Sequence, residues 1–211
     1  MKLINKMYHN VGEKVFKITR DIIYFFKRKK LKNKNVTIIT SDCLGGIIYH
    51  DLKLKFNSPT INLYIEPKYF VKFCRNLEHY LSLEFTENTS YSHVAGNLGD
   101  VIVHFLHYKT FDEAIETWNK RKKRIDMKNI CFIMTCKDGC TEKDVIEFDR
   151  LPYKSKVCFT TKKMNKYSST YYISGSENGN EIKFLGEKTN HFGSKYIDKF
   201  DIVSFINNCR S

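Results

Sequence analysis

The stretch Val36-Thr37-Ile38-Ile39-Thr40-Ser41-Asp42-Cys43-Leu44-Gly45-Gly46 constrains this chain more than any other. A short β-branched run ends in small polar residues, a thiol and two glycines. The run reads as a buried parallel strand, and the glycines let the chain turn sharply from its carboxyl end into a helix. Open α/β sheets bind ligands at that edge. Ser41, Asp42 and Cys43 would sit there beside free backbone N–H groups able to hold a phosphate or an oxyanion. The same glycines would also serve helix–sheet packing alone.

Strand and helix patterns alternate onward. Thr60–Ile65 reads as a strand, and Pro67 opens a helix with Phe70, Phe73, Leu77 and Leu81 on one face. Val101–Tyr108 is the next strand. Thr110-Phe111-Asp112-Glu113 is a capping box that starts a helix through Trp118 to Ile125. Asn129–Thr135 is a strand ended by Lys137-Asp138-Gly139. Thr141-Glu142-Lys143-Asp144 begins a helix, and Lys156–Thr161 returns as a strand. This alternation predicts an α/β protein with a mostly parallel sheet covered on both faces. Tyr171–Ser174 and Glu181–Leu185 read as an antiparallel hairpin, which makes the sheet mixed, and Asp201–Asn208 reads as a closing helix.

Charge sets the N-terminus apart. Residues 1–35 hold 11 Lys/Arg and two Asp/Glu, so nine of the thirteen net positive charges lie there. Ile4, Met7, Val11, Val15, Ile18, Ile22, Phe25 and Phe26 share one helical face. Lys2, Lys6, Lys14, Lys17 and Arg20 lie off it, and a basic run, residues 27–34, follows. We read 1–35 as a basic amphipathic helix and linker, ahead of one α/β domain over 36–211. Such a helix suits an anionic membrane surface, or else docking on the domain itself. No apolar run reaches the roughly 20 residues of a spanning helix, and no signal-peptide core is visible. Nucleic acid is a poor partner, since the body lacks a basic-aromatic surface.

Seven cysteines at unpaired spacings, with no histidine after Cys136 and Cys140 at zinc-finger distance, do not form a zinc pattern, and they suit a reducing cytoplasm. A Cys43 at a helix N-terminus would have a lowered thiol pKa and act as a nucleophile, unless it is an inert buried thiol. His104 and His107, three apart on a strand, would face opposite sides, which leaves His107 as the candidate general base. Arg121 and Arg124 could hold phosphates or complement their own helix dipole. Asp138 could orient a base or a sugar hydroxyl, or make a plain turn. Phosphate-loop, dinucleotide, nucleophile-elbow and Asp-x-Asp motifs are absent, so no cofactor is implied.

The segments Ile38–Gly46, Phe56-Asn57-Ser58-Pro59-Thr60, His104–Tyr108, Trp118–Ile125, Asp138-Gly139-Cys140-Thr141 and Leu151-Pro152-Tyr153-Lys154 together resemble a bacterial domain of unknown function. Its members occur in capsule and exopolysaccharide gene clusters. The resemblance covers about residues 36–208. The family commonly has Ser-Asn-Asn-Cys-Trp-Gly-Gly where this chain has Thr-Ser-Asp-Cys-Leu-Gly-Gly, so Asp42 and Leu44 depart from it. The resemblance implies a three-layer α/β/α fold and a place in surface-polysaccharide assembly.

A weaker similarity links the strand-end Asp-Cys to the Gly-Asn-Cys start of capsule proteins related to acyl-hydrolase and acyltransferase folds. Together these resemblances imply a transferase modifying a polysaccharide intermediate, by acyl transfer from an activated acyl donor. Cys43 or Ser41 would be nucleophile or oxyanion contact, with His107 and Asp138 beside them. Asp42, Gly45, Gly46, Asn57, Ser58, Arg121 and Arg124 would bind substrate. The alternatives are a glycosyl or phosphosugar transferase using a nucleotide-sugar donor, and a membrane-associated scaffold without catalysis.

Overall fold

The structure, a computed structural model, describes residues 2–209, with side chains from residue 11 onward. Ile4, Met7, Lys2 and Lys6 of the expected amphipathic helix therefore have side chains outside the described set. In order, the elements are α1 (Lys2–Lys30), β1 (Thr37–Thr40), α2 (Leu44–Asp51), α3 (Pro67–Arg75), α4 (Leu77–Ser82), β2 (Phe85–Glu87), β3 (Ala95–Leu98) and β4 (Val101–His104). There follow α5 (Phe111–Lys122), β5 (Ile130–Thr135), α6 (Glu142–Asp149), β6 (Lys156–Thr160), β7 (Thr170–Tyr172), β8 (Glu177–Asn178), β9 (Glu181–Ile182), a 3-10 turn (Tyr196–Lys199) and α7 (Ile202–Asn207).

The central sheet is four-stranded and parallel, in the order β1-β5-β6-β7. Strands β1 and β5 are buried on both faces, as parallel strands between helices must be. Ile39, Phe132, Met134 and Cys158 look to one side, where they meet Phe70 and Phe73 of α3, Trp118 of α5 and Phe148 of α6. Ile38, Cys131, Ile133, Val157 and Phe159 look to the other, against Leu44 and Ile48 of α2, Tyr24 of α1 and Ile202 and Ile206 of α7. These are the three layers of an α/β/α fold. Thr141 and Asp144 form a reciprocal capping box, whereas the box expected at Thr110 is half formed: Thr110 Oγ1 accepts from Glu113 N, but the Glu113 carboxylate accepts the N–H of Lys109.

Four expectations need correction. Val101–Tyr108 does not join the parallel sheet. Its first half is β4, which hairpins onto β3 through Gly99-Asp100, with Gly99 at φ +60°, and belongs to a separate antiparallel sheet, β2-β3-β4. Thr60–Ile65 is not a strand but a turn with a single bridge, Tyr64 to His104. Asn62 at φ +62° breaks its extension, and the Thr60 hydroxyl, not a strand, accepts the Thr40 N–H at 2.9 Å. The helix from Pro67 divides at Asn76, where φ −124° and ψ 46° leave helical space. The tail hairpin is displaced as well. Tyr171 belongs to β7, parallel to β6, while Glu177–Asn178, expected as loop, pairs with Glu181–Ile182 around Gly179 at φ +62°.

Candidate functional site

The carboxyl ends of β1 and β5 open beside the end of β4, and a cavity of about 480 Å³ lies there. It is lined by Asp42 and Cys43 after β1, Lys137 and Asp138 after β5, and His104 and His107 at and after β4. Tyr64 and Glu66 ahead of α3, His93 ahead of β3, Leu106 and Phe184 complete the wall.

Cys43 is the N-cap residue of α2, and its Sγ lies 3.2 Å from His107 Nε2 and 3.8 Å from the Leu63 carbonyl oxygen. An imidazole at that distance is within reach of the thiol proton. The helix terminus does not lower the thiol pKa, contrary to the sequence expectation. Burial, followed by the charge of Asp42, pushes Cys43 up to about 11 against the pull of Lys137. At pH 7 the resting sulfur is therefore a thiol, with the imidazole of His107 the base within reach of it.

The carboxylates are also raised. Asp42 is raised by burial, against the Leu44 N–H that its Oδ1 accepts at 2.9 Å, the Thr135 hydroxyl and Lys137. Asp138 is raised by burial and by Glu181 and Glu66, against Lys137. It holds the turn at φ +53°, a left-handed conformation that Asp tolerates better than most residues.

His104 and His107 do not face opposite sides of a strand, because β4 ends at His104 and the turn through Phe105 and Leu106 brings His107 back to the same cavity. His104 is 4% exposed. Tyr64 stacks on its ring, Tyr91 meets it edge-on, and His93 Nε2 lies 2.9 Å from its Nδ1. Its Nε2 is 4.0 Å from Glu66 Oε1 and has no hydrogen-bond partner; the buried Tyr64 hydroxyl has none either. Burial and the neighbouring His93 lower the His104 pKa, so the ring is neutral at pH 7. With Asp42 Oδ2, three buried polar atoms without a partner thus stand in the wall that also carries Cys43.

Other residues named from the sequence have structural positions. Ser41 is buried, and its Oγ accepts the Thr135 N–H at 3.1 Å, tying β1 to β5. At Gly45 an added Cβ would stand 2.5 Å from Thr40 Oγ1, and at Gly46 2.5 Å from Asn62 Oδ1, so both glycines serve close packing. Asn57 donates to Asn35 Oδ1, and Ser58 bonds with Thr60. Arg121 donates to the Ile61 carbonyl and the Tyr108 hydroxyl, and Arg124 to the Phe56 carbonyl. Two separated motifs thus meet: the arginines clamp residues 56–61, which in turn cap the end of β1.

Tyr64, Glu66, His93, His104 and Lys137 join the cavity without a binding signal in the sequence. His93 sits in an irregular segment with no periodicity, Tyr64 in a run that reads as a strand and turns instead, and His104 reaches the cavity only because its strand stops. Among the described residues, no group of three or more His, Cys, Asp or Glu could hold a metal ion.

A family model described as a domain of unknown function, DUF1919, matches residues 14–207. The chain belongs to this family. A protein of Haemophilus influenzae strain Rd, named only as uncharacterized, is 39% identical over 201 residues, 95% of this chain and 98% of its own length. The family match begins within α1, so the family unit includes much of the helix that the sequence sets apart as an appendage.

Proposed function

We propose that this protein is a transferase of bacterial capsular or exopolysaccharide assembly that moves an acyl group through Cys43 to a hydroxyl of a polysaccharide intermediate. The observation that carries the reading is the 3.2 Å approach of Cys43 Sγ to His107 Nε2 inside a cavity at the sheet's carboxyl edge. The thiol proton passes to His107 as the sulfur attacks the acyl carbonyl carbon. The leaving group departs with that proton, and Cys43 holds a thioester. An acceptor hydroxyl then attacks the same carbon, the C–S bond breaks, and the hydroxyl proton returns through a histidine to the sulfur. Tyr64 Oη and His104 Nε2, buried and unpartnered, supply hydrogen bonds for the acceptor.

The glycosyl or phosphosugar alternative has less support. Asp42, Glu66 and Asp138 face one lysine in the cavity, a poor setting for a diphosphate, and Arg121 and Arg124 are engaged with carbonyls. We place the reaction in the cytoplasm, peripheral to the inner face of the plasma membrane; seven free cysteines suit that reducing compartment. Incubation with p-nitrophenyl acetate followed by peptide mass mapping tests the reading. An acetyl adduct on Cys43 that is lost in Cys43→Ala and strongly slowed in His107→Ala is expected. No adduct at Cys43, or one formed equally fast without His107, refutes it. A thermal-shift comparison of acyl-CoA with nucleotide sugars separates the two donor classes.

A further inference from the structure

α1 is mounted on the body by its polar side. Arg20, 7% exposed, donates through Nε to Asp51 at 3.1 Å, and through Nη1 to Asp198 at 2.9 Å and the Gly193 carbonyl at 2.7 Å. Tyr24 Oη and Lys27 Nζ also bond Asp198, at 2.7 and 3.1 Å. Gly193 lies so close that a Cβ there would stand 2.6 Å from the Arg20 backbone nitrogen. A guanidinium and two carboxylates therefore set the rotation of the helix, with Phe16 at mid-helix and Leu31 just past its end buried on the same side.

This rotation turns the apolar stripe outward. Val11, Val15, Ile18, Ile22, Phe25 and Phe26 are between 40% and 61% exposed. Helices that pack on their own domain bury such a stripe. A groove of about 490 Å³ runs along it, walled by Ile18, Ile22, Phe25 and Phe26 and rimmed by Arg28, Lys53 and one acid, Asp21. On the adjoining side, sharing Asp21 and Lys53, a cavity of about 980 Å³ is edged by Lys14 and Lys17, and by Lys188 and Lys195, which pair with Glu13 and Asp51. Lys29 lies over the Phe25 ring at 4.6 Å, and Lys30, Lys32 and Lys34 continue the exposed cations past the stripe.

We infer that this face of α1 docks in the headgroup layer of an anionic lipid bilayer, with the stripe and its groove among acyl chains and the flanking lysines on acidic headgroups. Charge chooses the occupant. The exposed Lys14, Lys17, Lys29, Lys30, Lys32 and Lys34 outnumber Glu13 and Asp21 on this helix, so a second copy would set one cationic face against another, whereas an anionic leaflet pairs with the excess. None of the described helices is long and apolar enough to cross a membrane, so the helix lies on the surface. The contact is independent of the chemistry at Cys43.

The test uses the full chain and sedimentation with phosphatidylcholine vesicles, with or without about one third phosphatidylglycerol. The intact protein should bind the anionic vesicles at least about tenfold more tightly than the neutral ones, and added salt should weaken the contact. The triple change Ile18→Ser, Ile22→Ser, Phe26→Ser alters exposed side chains only, so its melting temperature should stay put while vesicle binding falls at least about tenfold. Lys14→Gln and Lys17→Gln should each weaken binding about fivefold. Unchanged binding by the apolar triple variant overturns the inference. So does a stripe-dependent dimer, seen by analytical ultracentrifugation, in a protein that ignores vesicles.

Discussion

The chemistry of Cys43 turns on one quantity, its resting protonation, and alkylation measures it. Burial and Asp42 move this thiol from an ordinary value near 9.0 to about 11. Two units mean about one hundredfold less thiolate at any pH below 9. The thiolate that does form is more nucleophilic, by about six- to tenfold at a Brønsted slope of 0.4–0.5. The net expectation is iodoacetamide reaction at Cys43 about ten- to fifteenfold slower than in an unstructured cysteine peptide, before any loss from limited access. The rate should rise about tenfold per pH unit through pH 10 without a plateau. It should still exceed the rates at Cys131 and Cys158, which are 0% exposed. Peptide-resolved mass spectrometry over a pH series reads all three sites. Because alkylation draws on preformed thiolate, His107→Ala should change it less than about threefold while strongly slowing acetylation. A plateau below pH 8 that disappears in His107→Ala would refute the reasoning: Cys43 and His107 would then rest as a thiolate–imidazolium pair.

Two further outcomes test the framework around the site. Gly46→Ala forces a Cβ to within 2.5 Å of Asn62 Oδ1, in a loop already at positive φ, and should cost about 2 kcal/mol, lowering the melting temperature by about 6 °C in calorimetry. Burial pushes the Asp198 carboxyl up, but the Tyr24 hydroxyl, the Lys195 N–H, Lys27 and Arg20 together hold it below the usual carboxylate range. A depressed acid stabilises the fold above its unfolded value, near 3.9, and loses that contribution as pH falls through the folded value. The α1 mount should therefore be insensitive to pH from 7 to about 5 and weaken only below about 4. Asp198→Asn should remove that acid dependence and cost about 2 kcal/mol at pH 7 in urea unfolding, and an unaltered acid transition would count against the mount.

The alternation of apolar runs and capping signals was sufficient to mark three strands of the parallel sheet, β1, β5 and β6, and the helices between them, because strand burial and helix capping are local and periodic. Ile38–Thr40, Ile130–Thr135 and Val157–Thr160 can be hidden only between two layers, and Thr110 and Thr141 start helices wherever these pack. The Cys43 edge was readable for the same reason, since a β-branched run ending in Gly-Gly leaves few routes for the chain. Pairing partners were not. β4 looks like any parallel strand until Gly99 folds it back on β3, and Thr60–Ile65 looks extended until Asn62 and the Thr60 hydroxyl turn it. That misreading hid half the cavity wall, because Tyr64, Glu66, His93 and His104 come together only through long-range contacts that leave no period in the chain. The α1 stripe shows the same division. Its residues and charges are plain in the sequence, but helical periodicity says only which residues share a face, not where in space that face points. Arg20, held by Asp51 and Asp198 from segments 31 and 178 residues away, turns that face outward, and only the tertiary structure brings those carboxylates to it.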